Sequence, residues 1–503
     1  MANAHAPSRV DLISRLNSWL VAPLSPWWCV LGWCVATALF VYIVALLGGP
    51  SILDARESAY GTWAVAHGRA ACVYPPGSPF GYLPIGPAYI LLSGGIAAIT
   101  RIGHTVAFPT AAALGPGCDK AFLALNPWSV QAGALRPTTW IGCVGWLVLM
   151  AGVVAWLRAS GRGRCGWEPA TVVLVACLPP VWMCVQSYFH PQDLLALGFA
   201  LCALACARRG RWIGVGILIA LAVLSQPFAL LVAAPLLLLA PVNRRVPYAV
   251  AALGTALAVV VPLGLLTSGR ALRAVTLGTE DGFGPKDTLL GELHLHGASF
   301  VLLERVAPVV ISLILAWWVS RRLGPAALHP VALMSVVAVS LGLRLVFEQN
   351  LLGYYFMALA VLLVLLDVVR GHLRSSVVAW LVAVALVFCV RQGLSFEFVR
   401  GGGSIEKYGP VLVLAAALAV VLLGLLRGRS RRNLLPWLGV AACVLLTWPG
   451  HDDPLHHPLV SWPWQIALVV PGIVLAAGPL LAELRLGEAT PHLERIETVP
   501  MVE

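Results

Sequence analysis

The chain has 503 residues, of which 59% are hydrophobic and 11% charged, and its mean hydropathy is +0.87. A soluble domain of this length could not carry such values, so a polytopic membrane protein is expected. The formal net charge of +11 is spread as short arginine clusters between apolar runs and forms no stripe, so nucleic acid is not an expected partner.

The N-terminal segment, residues 1–26, carries Arg9 and Arg15 ahead of an apolar run near 27–48. That run is too long for the core of a signal peptide and lacks an Ala-x-Ala ending, so it reads as the first crossing. Taking each apolar run of roughly 17–25 residues as one crossing, the next fall near 138–157, 170–187, 192–207, 212–225, 227–241 and 247–267. The remainder lie near 300–319, 328–346, 351–369, 376–390, 409–426, 433–448 and 463–482. The expectation is an all-α fold of about fourteen crossings, range 12–14. They form one membrane domain over 27–483, because no polar segment is long enough to fold separately, and a tail follows over 484–503.

Every second connection is basic: Arg158/Arg162/Arg164, Arg208/Arg209/Arg211, Arg244/Arg245, Arg321/Arg322, Arg370/Arg374 and Arg427/Arg429/Arg431/Arg432. The positive-inside rule places these connections and both termini in the cytoplasm. The intervening connections then face outward and carry Tyr188 to Asp193, Thr276 to His296, Glu348 to Asn350, Arg391 to Tyr408, and Gly450 to His457. The stretch Leu83 to Ile99 is read as an in-plane or re-entrant helix, since counting it as a crossing would turn every later arginine cluster outward. Pro84, Pro87, Gly94 and Gly95 also make it a poor simple span. Lysine numbers three against thirty arginines, a compositional mark of a high-GC bacterial genome and hence of a bacterial plasma membrane.

The first outer loop, residues 49–137, is far longer than ordinary connections, and long ordered loops usually serve function. It opens with Asp54 and Glu57 directly after the first crossing, where carboxylates are costly enough to suggest a role. Glu57 and Tyr60 would share one helix face, and Tyr74-Pro75-Pro76 and Tyr82-Leu83-Pro84 supply rigid bends. Cys72 and Cys118 fall in this one loop and could form a disulfide in an oxidising compartment; nine other cysteines lie in predicted crossings and Cys165 in an inner loop.

Later outer segments add candidates. Asp193 stands at the start of a helix, where a carboxylate also serves simply as a cap. Arg344 at the outer end of a crossing offers a planar fork for phosphate, or snorkels to the interface; His190 and Arg136 are weaker phosphate candidates. Tyr60, Tyr74, Tyr82, Glu348, Asn350 and Tyr354 would line a donor or acceptor cavity, although Tyr354 and Tyr355 also suit an interfacial aromatic belt. No Cys/His spacing suits zinc. Glu280, Asp281, Asp287, His294 and His296 could hold a divalent cation, though such loops are usually just solvated, as is preferred for His451, Asp452, Asp453, His456 and His457.

Four segments in order carry a resemblance: Glu57-Ser-Ala-Tyr60 with Tyr74-Pro-Pro76; His190-Pro-Gln-Asp193; Leu224-Ser-Gln-Pro-Phe228; and Arg344 through Glu348-Gln-Asn350 to Tyr355. Together the chain resembles the C-type (GT-C) polyprenyl-phosphate-sugar-dependent membrane glycosyltransferases, particularly the actinobacterial mannosyltransferase-like group. The resemblance implies an outer-face active site. There Glu57 or Asp54 would be the general base, Asp193 would help build the site, and a sugar, mannose or arabinose, would leave a polyprenyl phosphate with inversion. The acceptor would be an envelope glycan, glycolipid or protein, and membrane lipids the other partner. Similar proteins often carry Lys in the Ser225-Gln-Pro segment, and here it is absent. A lipid or lipid-linked sugar transporter and a non-catalytic envelope scaffold remain alternatives; no internal repeat of the transporter kind is found.

Overall fold

A computed structural model of the protein describes residues 18–46, 53–73, 86–100, 136–186, 189–269, 288–292, 302–348, 351–391 and 462–489. Among these the structure is all-helical, with one isolated bridge between Pro23 and Cys165 and no strand. The helices are α1 (Pro26–Leu46), α2 (Leu53–Ala66), α3 (Pro87–Thr100), α4 (Arg136–Ala159), α5 (Trp167–Ala176), α6 (Pro179–Gln186), α7 (Pro191–Arg208) and α8 (Trp212–Ser225). They continue as α9 (Leu230–Leu239), α10 (Val242–Leu266), α11 (Leu289–Glu292), α12 (Ala307–Leu323), α13 (Pro330–Phe347), α14 (Met357–Arg370), α15 (Ser375–Arg391) and α16 (Trp462–Ala489).

Eight of the described helices are long and apolar enough to cross a membrane, and α5 with α6 makes up to nine if that pair, bent by 51°, is one crossing. Runs 409–426 and 433–448 lie outside the described residues. Prolines set several boundaries. The bend follows from Pro179 and Pro180, which cannot donate into the preceding turn. Gln226, forced out of the helical region by Pro227, is extended at φ −155° and ψ 129° and separates α8 from α9. In the first loop, α2 and α3 have 14 residues each. At 1.5 Å per residue each is about 21 Å long, short of a hydrocarbon core of about 30 Å.

Burial is arranged inside out. Helices α7, α13 and α14 are almost wholly enclosed, whereas α10 turns Val246, Val250, Leu253, Leu257, Val261 and Leu265 outward. Close approach of the central helices depends on glycine, the usual device where hydrophobic attraction between helices is weak. A Cβ on Gly198 of α7 would lie 2.6 Å from the Leu149 nitrogen of α4, and one on Gly145 would lie 2.5 Å from the Pro191 carbonyl oxygen. The Gly216 backbone meets α10 at the Tyr248 carbonyl in the same way.

Ion pairs and capping side chains close one end of the bundle. Glu168, wholly buried, accepts Arg158 Nε at 3.2 Å, Arg158 Nη2 at 3.0 Å and the Arg164 amide at 2.8 Å. Arg208 Nη1 donates to the Leu328 carbonyl and Arg245 to the carbonyls of Leu238 and Ala240. Arg374 Nη1 donates at 3.0 Å to the carbonyl of Leu475. That carbonyl has no helical donor, because the residue four positions on is Pro479. The described arginine-rich turns therefore gather at one end, and the turns α6–α7, α8–α9 and α13–α14 at the other.

Gly198→Ala is expected to lower the melting temperature of the detergent-solubilised protein, by an overpacking cost of about 1–3 kcal/mol. Gly214→Ala, whose Cβ would meet only Cys206 Sγ at 3.7 Å, should leave it unchanged or raise it. Equal behaviour of the two variants in a thermal melt would contradict the close-packed α4–α7 seam.

Candidate functional site

The end opposite the arginine-rich turns holds a compact polar group. It begins at the α6–α7 turn, where Phe189 takes φ +53° and is buried. A bulky residue in that region costs of order 1–3 kcal/mol, and such strain gathers at functional sites. The turn delivers His190 as the residue before α7, then Pro191 and Gln192 in its first turn and Asp193 at its third position.

His190 is 5% exposed, and both ring nitrogens are engaged. Gln192 Nε2 lies 3.0 Å from Nδ1, and the Tyr354 hydroxyl lies 3.1 Å from Nε2. An amide nitrogen can only donate, so with this amide orientation Nδ1 is the acceptor; a neutral ring then carries its proton on Nε2 and donates to Tyr354. The rings of His190 and Tyr354 also stack, with centroids 4.3 Å apart.

Asp193, 1% exposed, sits where the α7 dipole favours negative charge. His190, not Asp193, occupies the cap position, and the Asp193 carboxylate accepts a 2.6 Å hydrogen bond from Gln226 Nε2. Gln226 can reach because Pro227 has pulled it out of helix. Two residues on, the Phe228 ring lies under the Arg344 guanidinium, whose carbon is 5.2 Å from the ring centroid. Tyr355 covers the guanidinium at 4.7 Å, and Nε donates to Glu348 Oε2 at 2.8 Å. Held thus, the Arg344 side chain is 19% exposed. Its terminal nitrogens make no hydrogen bond among the described residues, which leaves that edge of the fork to an anion. Asp193 and Glu348 both lie within electrostatic reach of it.

Helix α16 fixes the end of α13 that bears Arg344. The buried Gln465 donates to the carbonyls of Leu345 at 2.7 Å and Val346 at 3.1 Å, and accepts from the Leu289 amide at 2.8 Å. One amide thus serves the helix-end carbonyls that lack intrahelical partners.

The structure brings together His190, Asp193, Arg344, Glu348 and Tyr354. Tyr354, 2% exposed and stacked inside, is not a belt residue, because a belt ring meets the headgroups. Asp54 and Glu57 lie in the first two turns of α2, but their side chains lie outside the described residues, as does that of Arg136 in α4. Tyr74, Tyr82, Asn350, Cys118, Glu280, Asp281, Asp287, His294 and His296 also lie outside them. Tyr60, one turn after Glu57, is buried in a satellite core with Trp63, Tyr89, Ile90 and Leu195, two residues beyond Asp193. Helix α3 reaches the same region, for the Gly86 backbone just ahead of it touches the carbonyls of Leu224 and Ser225. Cys72 is disulfide-bonded. Among the described residues no three of His, Cys, Asp and Glu converge to hold a metal ion.

Sequence reasoning missed Gln465; it quoted Gln192, Gln226 and Phe228 only within the segments that carry the resemblance and gave none of them a role of its own. Glutamine next to a proline break in an apolar run is the signal that could have found Gln226.

Gln226→Ala leaves the buried Asp193 carboxylate without this donor and should cost about 1–3 kcal/mol of stability. In a thermal-melt double-mutant cycle with Asp193→Leu the two losses should not add; additive losses would contradict the bond. Comparison with known proteins found no matching family model, no matching curated protein and no matching solved structure.

Proposed function

We propose that the chain is an inverting membrane glycosyltransferase that moves a monosaccharide, mannose or arabinose, from a polyprenyl phosphate to an envelope glycan, glycolipid or protein. The observation that carries this reading is the tripeptide Gln226-Pro227-Phe228, which touches the carboxylate of Asp193 with one end and the guanidinium of Arg344 with the other. A buried acid and a half-open cation beside each other suit a reaction that removes a hydroxyl proton and releases a phosphate. The proposed topology has about fourteen crossings, cytoplasmic termini, α2 and α3 in or near the outer membrane plane, and this site on the extracytoplasmic face.

The chemistry follows from the groups. A carboxylate, Glu57 or Asp54, takes the proton of the acceptor hydroxyl. The acceptor oxygen attacks the anomeric carbon from the side opposite the lipid phosphate, and the bond to the phosphate oxygen breaks as the glycosidic bond forms. The departing phosphodiester becomes a phosphomonoester whose charge Arg344 meets through its free edge. In this reading Asp193, held by Gln226, orients a sugar or acceptor hydroxyl. No step requires a metal ion, although a divalent cation near the phosphate would serve the same end as Arg344.

The bent pair α5–α6 is the feature that a transporter would share, since broken helices build transporter sites. Transfer of labelled sugar by the purified protein from a panel of synthetic polyprenyl-phosphate sugars separates the readings. Glu57→Gln or Asp54→Asn should lower turnover by about 10²–10⁴-fold, the usual contribution of a general base. Arg344→Gln should weaken donor use, with Arg344→Lys restoring it only in part. Lipid movement across liposomes without sugar transfer from any donor would sink the transferase reading.

A further inference from the structure

A second polar cluster lies at the arginine-rich end, where the α4–α5 turn meets the α14–α15 turn. Helix α14 ends at Arg370 and is closed by Gly371, whose φ of +85° only glycine adopts without strain. The Asp367 carboxylate, wholly buried, is consumed by one partner: Arg374 Nε donates to Oδ1 at 2.6 Å and the Arg374 amide to Oδ2 at 2.7 Å. Arg162 arrives from the other turn. Its Nε donates to the Val369 carbonyl at 3.2 Å, and its Nη2 lies only 2.8 Å from where a Cβ on Gly371 would stand.

The charges around this glycine do not balance. Asp367 matches Arg374 and leaves Arg162 and Arg370 uncompensated. Among the described residues the Arg370 guanidinium has no hydrogen-bond or ion-pair partner, and it repels Arg374. A further donor, Arg374 Nη2, is buried without a partner. Topology and the helix dipole explain one arginine in a last helical turn. They do not explain why Arg162, arriving from another turn, sets its guanidinium against Gly371 at the helix end that already carries Arg370 and Arg374.

We propose that Arg162, Arg370 and Arg374 form a binding site for the phosphate of an anionic phospholipid at the Gly371 turn. Guanidinium forks match phosphate oxygens, and basic pockets between membrane helices hold anionic headgroups. A headgroup is favoured over free phosphate because the turn closes the apolar 18-residue span Gly353–Arg370, long enough to cross a membrane, and exposes Leu373 beside the charges. The proposal is independent of the transferase reading.

The test is the thermal stability of the full-length purified protein in mixed micelles containing phosphatidylglycerol, compared with phosphatidylcholine and with sodium phosphate alone, at fixed ionic strength. Phosphatidylglycerol should raise the melting temperature in a saturable way, and the other two additions should not. Arg370→Gln, which removes no bond from the fold, should weaken the apparent affinity about fivefold, as one juxtamembrane charge contributes about 1 kcal/mol. Arg162→Gln combined with Arg370→Gln should abolish the response, while Arg209→Gln, an exposed arginine at the same end, should leave it intact. Equal effects of both lipids, an equal effect of phosphate alone, or equal loss in Arg209→Gln would each overturn the proposal.

Discussion

In a bilayer a broken helix must find partners inside the protein for the backbone groups that the break releases, because no water is at hand to serve them. This chain breaks its helices often and meets the requirement with a few long polar side chains. Gln465 serves the end of α13, Arg374 serves the carbonyl orphaned by Pro479, and Arg208 and Arg245 serve helix-end carbonyls at the basic turns. The polar groups near the membrane are thus first of all solutions to a backbone problem. The candidate site stands where that same solution places acidic and basic groups side by side.

That distinction separates the two ends of the molecule. At the basic end Glu168 and Asp367 are each saturated by the arginines they face, and their geometry is that of staples. At the other end one ion pair, Arg344 with Glu348, stands among amides, a hydroxyl and aromatic faces, which are weaker partners and more easily exchanged for a ligand. A guanidinium between two rings keeps its charge while losing much of its hydration, which suits it to an incoming anion. His190 is held by stacking as well as by hydrogen bonds, so its plane is fixed independently of what binds beside it.

The helical architecture was legible because it rests on signals spaced along the sequence: apolar length, proline at helix starts and arginine at alternate turns. Runs predicted near 138–157, 192–207, 328–346 and 351–369 fall on α4, α7, α13 and α14. The site was legible where a residue type is unusual in its surroundings, as with Asp193, Arg344 and His190. What stayed hidden were the residues that bind across the chain. Gln465 meets carbonyls about 120 positions away, and nothing in its own neighbourhood announces them. Asp193 could be placed at a helix start, but its partner depended on a proline 34 residues on unwinding the end of another helix, which no local pattern records.

The tripeptide Gln226-Pro227-Phe228 has a dynamic consequence. Because one short rigid segment grips both the acid and the cation, a shift of the α8–α9 junction carries Asp193 and Arg344 in the same direction. Their separation should therefore fluctuate less than the absolute position of either. A site gripped in this way can ride on a deforming bilayer, with lipids of different thickness passing around it, and still present a constant spacing to whatever it binds.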